Sequence, residues 1–235
     1  MSTRRDLYLA EIGVSAWRLR DTAGAAPAAD VHALHPEEAP AVPAANESKD
    51  DTWQRLAGAV RACTKCALHR GRTQTVFGVG RRDAQLLVIG EAPGAEEDKQ
   101  GEPFVGRAGQ LLNAMLHSIG QPRAEVYIAN ILKCRPPGNR DPQPDEAASC
   151  TPYLSQQIAL VQPRAILAVG RIAAQWLLQS DAPIGRLRGR VFQYGEAGTP
   201  LVVTYHPAYL LRSPGEKAKA WTDLCMVRDL LSNER

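Results

Sequence analysis

Four short, predominantly apolar runs alternate with stretches of helical periodicity from residue 85 onward. The runs cover residues 85–89, 126–129, 165–169 and 201–205. Between the first two runs, Leu112, Met115 and Leu116 recur at the spacing of one helix face. Runs with so few polar positions are typical of strands buried on both faces, as in parallel sheets covered by helices. The pattern therefore predicts an α/β fold, a three-layer αβα sandwich with a mainly parallel, four-stranded central sheet.

Polar residues stand at the ends of three of these runs. Glu91, Asn130 and His206 each lie at or just past the end of a predicted strand. Because ligands bind outside the carboxyl ends of the strands in open α/β sheets, we expect the three side chains to converge there. Each also has a simpler interpretation by itself. Asn130 fits a turn, and His206 before a proline fits a structural histidine.

The segment from Gly90 to Gly106 combines acidic residues, glycines and prolines directly after the first predicted strand. Pro93 and Gly94 end the strand, and the backbone amides around them can face an anion or the polar edge of a base. Phe104 lies in a loop rather than on a periodic apolar face, which makes it a candidate stacking surface. The alternative is a surface turn with solvated carboxylates.

Cysteine spacing is the second strong signal. Cys63 and Cys66 form a Cys-Thr-Lys-Cys pair, Cys134 follows the second predicted strand, and Cys150 lies sixteen residues later. We see no signal peptide before them, so we expect thiols rather than disulfides. Four thiolates can bind zinc or an iron–sulfur cluster, and the spacing alone does not separate the two. Cys225 lies among leucines and valines and fits a small buried apolar residue.

Charge and composition divide the chain into parts. Residues 1–50 carry five Lys or Arg and eight Asp or Glu, a net charge of −3, whereas residues 51–235 carry 23 and 17, a net charge of +6. A basic excess of this size suits a nucleic-acid backbone but is also common in other proteins. We predict a partner-docking peptide at 1–20, a flexible Ala/Pro-rich linker at 21–52 and one domain at 53–235. We see no transmembrane segment, which predicts a cytoplasmic protein that does not bind membranes.

Three motifs together carry a resemblance to one enzyme family. They are GEAPG at 90–94 with its acidic tail and PFVG, the run from Asn130 to Arg140, and HPAYLLR at 206–212. Across about residues 53 to 233 the chain resembles the family 4 uracil-DNA glycosylases, which carry a [4Fe-4S] cluster. The resemblance implies excision of uracil from DNA at the start of base excision repair, by a monomer at the bacterial nucleoid. It also implies that iron and sulfur, rather than zinc, are held by Cys63, Cys66, Cys134 and Cys150.

The resemblance assigns recognition of the base to four positions. Phe104 stacks on a flipped uracil, and the Asn130 amide bonds uracil O4 and N3–H, a donor and acceptor order that cytosine reverses. Glu97 matches the position that crowds uracil C5 and excludes the methyl group of thymine. Ala92 stands where glycosylases of the first family have an aspartate, so the activation of water needs another group here.

The resemblance also assigns the chemical step. His206 matches the residue that hydrogen-bonds uracil O2 and stabilises the departing anion. Glu91 is the carboxylate best placed to activate water or to stabilise positive charge on the sugar. Asn139, in the loop after Cys134, is a second candidate for holding that water.

Contacts to DNA complete what the resemblance implies. Leu210 matches the wedge that fills the gap in the duplex, while Arg212 and Arg140 approach the phosphates. A related family that becomes covalently trapped on uracil has an inserted basic loop with a histidine after its second strand. This chain has CRPPGNR there instead, so we expect no trapping.

The first twenty residues carry a second, shorter resemblance. Arg4 to Leu9, Gly13 and Trp17 to Arg20 are similar to the N-terminal peptide of the psi subunit of the bacterial replicative polymerase, which docks that subunit on the clamp loader. This resemblance implies a clamp-loader or replisome protein as the partner of residues 1–20. The alternative is that these residues pack onto the domain itself.

Two other function classes stay open on the sequence. A non-catalytic, metal-bearing DNA-binding module would bind any duplex without forming an abasic product. A metal-stabilised enzyme acting on free nucleosides would turn over without a polymer, which the loop arginines and Leu210 disfavour.

Overall fold

A computed structural model of the chain describes residues 48–232. The predicted docking peptide at 1–20 and residues 21–47 of the predicted linker lie outside this range. The first helix, α1 (Lys49–Arg61), begins inside the segment predicted as linker. The Ser48 hydroxyl caps it by accepting the Asp51 amide at 3.1 Å, and two aspartates in its first turn favour the positive end of the helix dipole.

The central sheet has six strands within the described residues. They are β1 (Val79–Gly80), β2 (Leu86–Gly90), β3 (Tyr127–Asn130), β4 (Ala165–Val169), β5 (Val191–Tyr194) and β6 (Thr199–Thr204). Their order is β1-β3-β2-β4-β6-β5, with the four inner strands parallel and both edge strands antiparallel to their neighbours. The predicted α/β class and parallel centre are confirmed. The predicted count of four strands is wrong, because β1 is two residues long and β5 is partly exposed, so neither forms a continuous apolar run.

Helices cover both faces of this sheet. After α1 they are α2 (Ala95–Gln100), α3 (Arg107–Ser118), α4 (Pro144–Val161), α5 (Arg171–Leu178), α6 (Ile184–Leu187), α7 (Pro207–Arg212) and α8 (Lys217–Ser232). None of the helices within 48–232 combines the length and hydropathy needed to cross a lipid bilayer.

Alternate residues of the inner strands enter two separate cores. Leu87 and Ile89 of β2 pack in one apolar cluster with residues of α1, α4 and α5, whereas Leu86 and Val88 pack in another with residues of α3 and α8. Every residue of β2 is buried, because the side chains that alternate across a strand find a helical layer on either side. This arrangement is the predicted three-layer sandwich.

The strand register brings the polar strand ends together. Gly90 at the end of β2 is paired with Asn130 at the end of β3, and Val169 at the end of β4 is paired with Thr204 at the end of β6. All four strands therefore finish at one edge of the sheet. The loops that follow them form the site described next.

Candidate active site

A cavity of about 490 Å³ opens at the carboxyl edge of the sheet, and we call it the base pocket. Its lining includes nine of the ten pocket and DNA-contact residues predicted from the sequence: Glu91, Ala92, Glu97, Phe104, Asn130, Asn139, Arg140, His206 and Arg212. The tenth, Leu210, lies elsewhere. The strand ends thus gather residues that are more than a hundred positions apart in the chain.

Phe104 and Asn130 form the buried end of the base pocket. Asn130 is 2% exposed, and its side-chain Oδ1 has no hydrogen-bond partner among the described residues. Gly90 lies against both side chains, since a Cβ there would come within 2.4 Å of Asn130 Oδ1 and 2.7 Å of Phe104 Cζ. A buried acceptor without a partner is costly, so this oxygen is suited to accept a hydrogen bond from a ligand.

The backbone at Phe104 has an uncommon conformation that neighbouring side chains stabilise. Its φ is 55°, in the left-handed region that few non-glycine residues adopt. Arg123 donates to the carbonyl of Pro103 at 2.7 Å and to that of Phe104 at 3.3 Å. Gly109 of α3 allows the close approach of this loop, because a Cβ there would lie 1.8 Å from the Phe104 carbonyl oxygen.

His206 faces the base pocket as a neutral donor. It is the N-cap of α7, and its Nδ1 accepts the Ala208 amide at 3.1 Å, so the ring proton is on Nε2. Burial, with a smaller effect from the Arg212 charge, lowers the pKa of His206 to about 4. Its ring centroid lies 5.7 Å from that of Phe104, with the planes 30° apart.

Glu91 has an environment that favours proton exchange near neutral pH. Burial first, and the negative charge of Asp141 second, raise the pKa of Glu91 to about 7, while Arg171 opposes the shift. Arg171 itself pairs with Asp141, Nη2 to Oδ2 at 2.8 Å. The sequence interpretation missed both Asp141 and Arg171, because they are thirty positions apart and follow different strands.

Glu97 supports the wall of the base pocket through its carboxylate. Oε1 accepts the amide of Val105 at 3.1 Å and that of Gly106 at 3.4 Å, which ties α2 to the loop that carries Phe104. Gly94 lies close to the same carboxylate, since a Cβ there would be 2.7 Å from Oε2. Glu97 therefore lines the base pocket and also holds the loop.

The loop between β3 and α4 carries two further predicted residues. Asn139, with φ of 54°, accepts from Arg135 Nε at 2.7 Å through its side-chain oxygen. The guanidinium of Arg140 makes two bonds to the Glu146 carboxylate, at 2.6 and 2.9 Å. Arg140 is thus bound within the protein as well as lining the base pocket.

Leu210, the predicted wedge, is buried in this structure. This side chain is 1% exposed and packs in the apolar cluster formed with α3 and α8, so its wedge role stays a prediction. Its two neighbours are exposed instead, Tyr209 at 36% and Leu211 at 37%. Sequence similarity could not show this difference, because a leucine suits a core and a wedge equally well.

Four cysteines line a second, small cavity, which we call the cysteine site. Cys63, Cys66, Cys134 and Cys150 all border this space, whose volume is about 10 Å³. Among residues 48–232, no three His, Cys, Asp or Glu side chains converge closely enough to hold a single metal ion. The donor set is thus four soft sulfur atoms, which both zinc and iron–sulfur clusters accept as ligands.

The electrostatics of the cysteine site disfavour bare thiolates. Burial raises the pKa of Cys150 to about 11 and also raises the pKa of Cys134. Arg72 bridges two of the segments, with Nη1 donating to the Cys63 carbonyl at 2.9 Å and to Cys134 Sγ at 3.1 Å. A bound cationic centre would favour the ionised sulfur atoms that burial disfavours.

One buried lysine links the two sites and was not predicted. Lys133 is 1% exposed, and its Nζ donates to the Asn130 carbonyl at 2.8 Å and to Gln157 Oε1 at 2.6 Å. Gln157 lies on α4, the helix that also carries Cys150. A lysine inside the apolar run that joins Asn130 to Cys134 is the signal that the sequence interpretation overlooked.

Comparison with known proteins agrees with this geometry. A family model of the uracil DNA glycosylase superfamily matches residues 77–225. The type-4 uracil-DNA glycosylase of Archaeoglobus fulgidus is 40% identical over 195 residues, covering 80% of this chain and 96% of the relative. That of Thermotoga maritima is 41% identical over 167 residues, covering 71% and 86%.

A second group of relatives is more distant. The type-5 uracil-DNA glycosylase of Thermus thermophilus is 32% identical over 152 residues, covering 56% of this chain and 68% of the relative. The resemblance drawn from the GEAPG, CRPPGNR and HPAYLLR motifs is therefore confirmed. The chain belongs to the uracil-DNA glycosylase superfamily and, within it, to the type-4 uracil-DNA glycosylases.

Proposed function

We propose that this chain hydrolyses the N-glycosidic bond between uracil and deoxyribose in DNA, which leaves an abasic site and starts base excision repair. The observation that carries the proposal is the buried Asn130 Oδ1, which has no partner among the described residues and lines the same pocket as the Phe104 ring and the neutral His206. That combination suits a planar base with a polar edge. A duplex must release its base to reach such a pocket, at a cost of a few kcal/mol.

Base selection follows from the Asn130 amide and the Phe104 ring. Phe104 supplies a face for stacking, and Asn130 Oδ1 accepts the uracil N3–H while its amide nitrogen donates to O4. Cytosine offers the reverse order at that edge, which leaves two mismatched pairs in a buried place. Gly90 lets the base approach both groups, since any larger residue would fill the space.

Exclusion of thymine is assigned to Glu97. Its carboxylate is held by the amides of Val105 and Gly106, so it is a fixed part of the pocket wall. A fixed carboxylate beside C5 leaves no room for the additional methyl group. Ala92 adds a small residue to the pocket lining, where a longer side chain would take up space.

The chemical step needs a donor at the departing base and a group that handles water. Neutral His206 offers Nε2–H to uracil O2, where negative charge grows as the bond breaks. Glu91 accepts a proton from the attacking water, because its pKa of about 7 leaves much of it ionised at neutral pH. Asn139 holds the water from the opposite loop, with its orientation set by Arg135.

We further propose that the cysteine site holds a [4Fe-4S] cluster. The chemistry it supplies is structural, since ligation to Cys63, Cys66, Cys134 and Cys150 would join the end of α1 to the loop after β3 and to α4. That loop carries Asn139 and Arg140 toward the base pocket. Four cysteine donors can hold either zinc or a cluster, and the resemblance to the family 4 uracil-DNA glycosylases favours the cluster.

The remaining contacts concern DNA and protein partners. Exposed Arg212 lines the base pocket and suits a phosphate of the bound strand, and Arg140 adds positive charge to the same lining. Docking of residues 1–20 on a clamp-loader protein stays a prediction, as does the monomeric state.

Incubation with an end-labelled, uracil-containing oligonucleotide, followed by alkali, tests the proposed function. Cleavage at the uracil position, with none at thymine or cytosine, is the expected result. His206→Ala is the matched control, since it should bind the oligonucleotide and form little product. Binding of duplex by the wild-type protein without an abasic product would refute the proposal and support a non-catalytic module.

A further inference from the structure

An aromatic pair stands at the rim of the base pocket, on and beside helix α7. Tyr209 is 36% exposed and lines the pocket. Its ring centroid lies 5.0 Å from that of Tyr205, with the planes 44° apart. Aromatic side chains exposed beside a nucleotide-binding cavity are suited to stack on bases.

Helix geometry gives neighbouring side chains of α7 different surroundings. Successive side chains of an α-helix point about 100° apart around the helix axis. Tyr209 and Leu211 therefore point away from the buried Leu210 in two different directions. Ala208, Tyr209 and Arg212 line the base pocket, whereas Leu211 does not, although it is equally exposed. Of the two exposed neighbours of Leu210, Tyr209 is therefore the one on the pocket side.

Tyr205 is itself held in place by charged groups. The Arg188 guanidinium lies 5.4 Å from its ring centroid. Arg188 makes two bonds to the fully buried Asp223, at 2.8 and 3.1 Å, and Asp223 also accepts the Gly189 amide at 3.1 Å. A bidentate pair to a buried carboxylate fixes an arginine firmly. Tyr205 is thus a rigid support behind Tyr209.

We infer that Tyr209, supported by Tyr205, fills the gap that a flipped uracil leaves in the duplex, the part that sequence similarity gives to Leu210. Flipping removes the stacking of the neighbouring bases on the uracil, and a ring inserted in its place restores part of that stacking. The inference rests on the proposed function, because a gap of this kind forms only when a base leaves the helix.

Single-turnover excision from matched single-stranded and duplex oligonucleotides tests this inference. Tyr209→Ala should lower the duplex rate about tenfold more than the single-strand rate, equivalent to about 1.4 kcal/mol of stacking. Tyr209→Phe should change this ratio less than about twofold, because the ring rather than the hydroxyl fills the gap. A pyrene nucleoside placed opposite the uracil occupies the gap itself and should restore the duplex rate of Tyr209→Ala.

Two neighbouring variants serve as controls. Leu211→Ala should leave the ratio of duplex to single-strand rates unchanged. Leu210→Ala should lower the melting temperature, since it opens a cavity in the core, and should leave the ratio unchanged as well.

Three outcomes would overturn the inference while the proposed function stands. The first is a Tyr209→Ala protein whose ratio of duplex to single-strand rates equals that of the wild type. The second is a failure of the pyrene nucleoside to restore the duplex rate of Tyr209→Ala. The third is a loss of the duplex rate alone in Leu210→Ala or Leu211→Ala. A wild-type protein that cleaves neither substrate would overturn the proposed function and this inference together.

Discussion

The base pocket and the cysteine site are both assembled from distant segments, but different forces hold them together. The base pocket is built on paired strands, because Gly90 and Asn130 are direct neighbours in the sheet. Its loop at Phe104 is fixed by Arg123, and its wall by the Glu97 carboxylate. Backbone hydrogen bonds and side-chain contacts thus form this pocket without any ligand.

The cysteine site has no comparable framework of strands. Cys63 and Cys66 follow α1, Cys134 lies in a loop after β3, and Cys150 lies on α4. Sulfur forms weak hydrogen bonds, so four thiols contribute little cohesion by themselves. Arg72 ties two of these segments together, and a metal–sulfur group would tie all of them.

This difference separates the roles of the two ligands. On the proposed function, uracil is bound by groups that the fold already holds in place, so removing those groups should change rate and selectivity more than stability. A cluster in the cysteine site would complete the fold, so removing its ligands should change stability first and activity as a consequence.

The largest effect is expected at the cysteine site. Cys134→Ala should abolish the visible absorbance of an iron–sulfur protein and lower the stability by about 4 kcal/mol or more, because a buried ligand and the group it holds are lost together. Iron and sulfide analysis of anaerobically purified protein, with thermal melting, measures both. Cys225→Ala is the matched control and should change neither. A colourless, active wild-type protein with one zinc per chain would contradict the cluster.

His206 gives the largest effect expected at the base pocket. His206→Ala should lower the single-turnover rate between about a hundred- and a thousandfold, the usual cost of removing a donor to a developing anion. Duplex affinity should change little, since His206 stabilises charge that appears only during bond cleavage, whereas the melting temperature should fall slightly because α7 loses its side-chain cap. A rate loss that is matched by an equal loss of affinity would show a binding role instead.

Glu91 should produce a pH dependence near neutrality. The pKa of about 7 means that the carboxylate becomes protonated as the pH falls, so the wild-type rate should fall about tenfold per unit below that value. His206 stays neutral above about pH 4 and adds no slope in this range. Glu91→Gln should lower the plateau about a hundredfold and remove the slope. A wild-type slope in Glu91→Gln would assign the titration to another group.

The strand ends that form the base pocket could be predicted because each inner strand is a continuous apolar run in the sequence. Strands β2, β3, β4 and β6 are buried on both faces, so their apolar runs are visible and the polar residues at their ends could be placed at one edge. The short β1 and the partly exposed β5 have no pattern of this kind. The fold class could be predicted, whereas the number of strands could not.

Contacts between distant segments could not be predicted in the same way. The charge of Asp141 acts on Glu91 fifty positions earlier, and Arg72 reaches Cys134 across 62 positions. The burial of Leu210 depends on how α7 packs against α3 and α8, which residue type does not show. These features follow from tertiary packing, and the pattern of apolar and polar residues does not predict them.

A smaller effect is expected for base discrimination at Glu97. Glu97→Ala should permit slow cleavage of thymine, because it removes the group beside C5. It should also lower the stability by about 1 to 2 kcal/mol, since the Val105 and Gly106 amides lose their acceptor. Glu97→Gln keeps an acceptor of the same size and should retain discrimination. Continued rejection of thymine by a folded Glu97→Ala protein would place the C5 wall elsewhere.

The smallest effects distinguish two arginines at the rim of the base pocket. Arg212 is exposed, so Arg212→Ala should weaken binding of any DNA sequence severalfold and reduce the salt-dependence slope by about one, as expected for one lost phosphate contact. Arg140 is bound to Glu146, which is 4% exposed, so Arg140→Ala should instead lower the melting temperature by leaving a buried carboxylate without its partner. Salt titrations of affinity and thermal melts of both variants separate the two roles. The opposite result would be an Arg140→Ala protein of unchanged stability whose salt-dependence slope of DNA affinity falls by about one. Arg140 would then be the phosphate contact, and its bond to Glu146 would not contribute to stability.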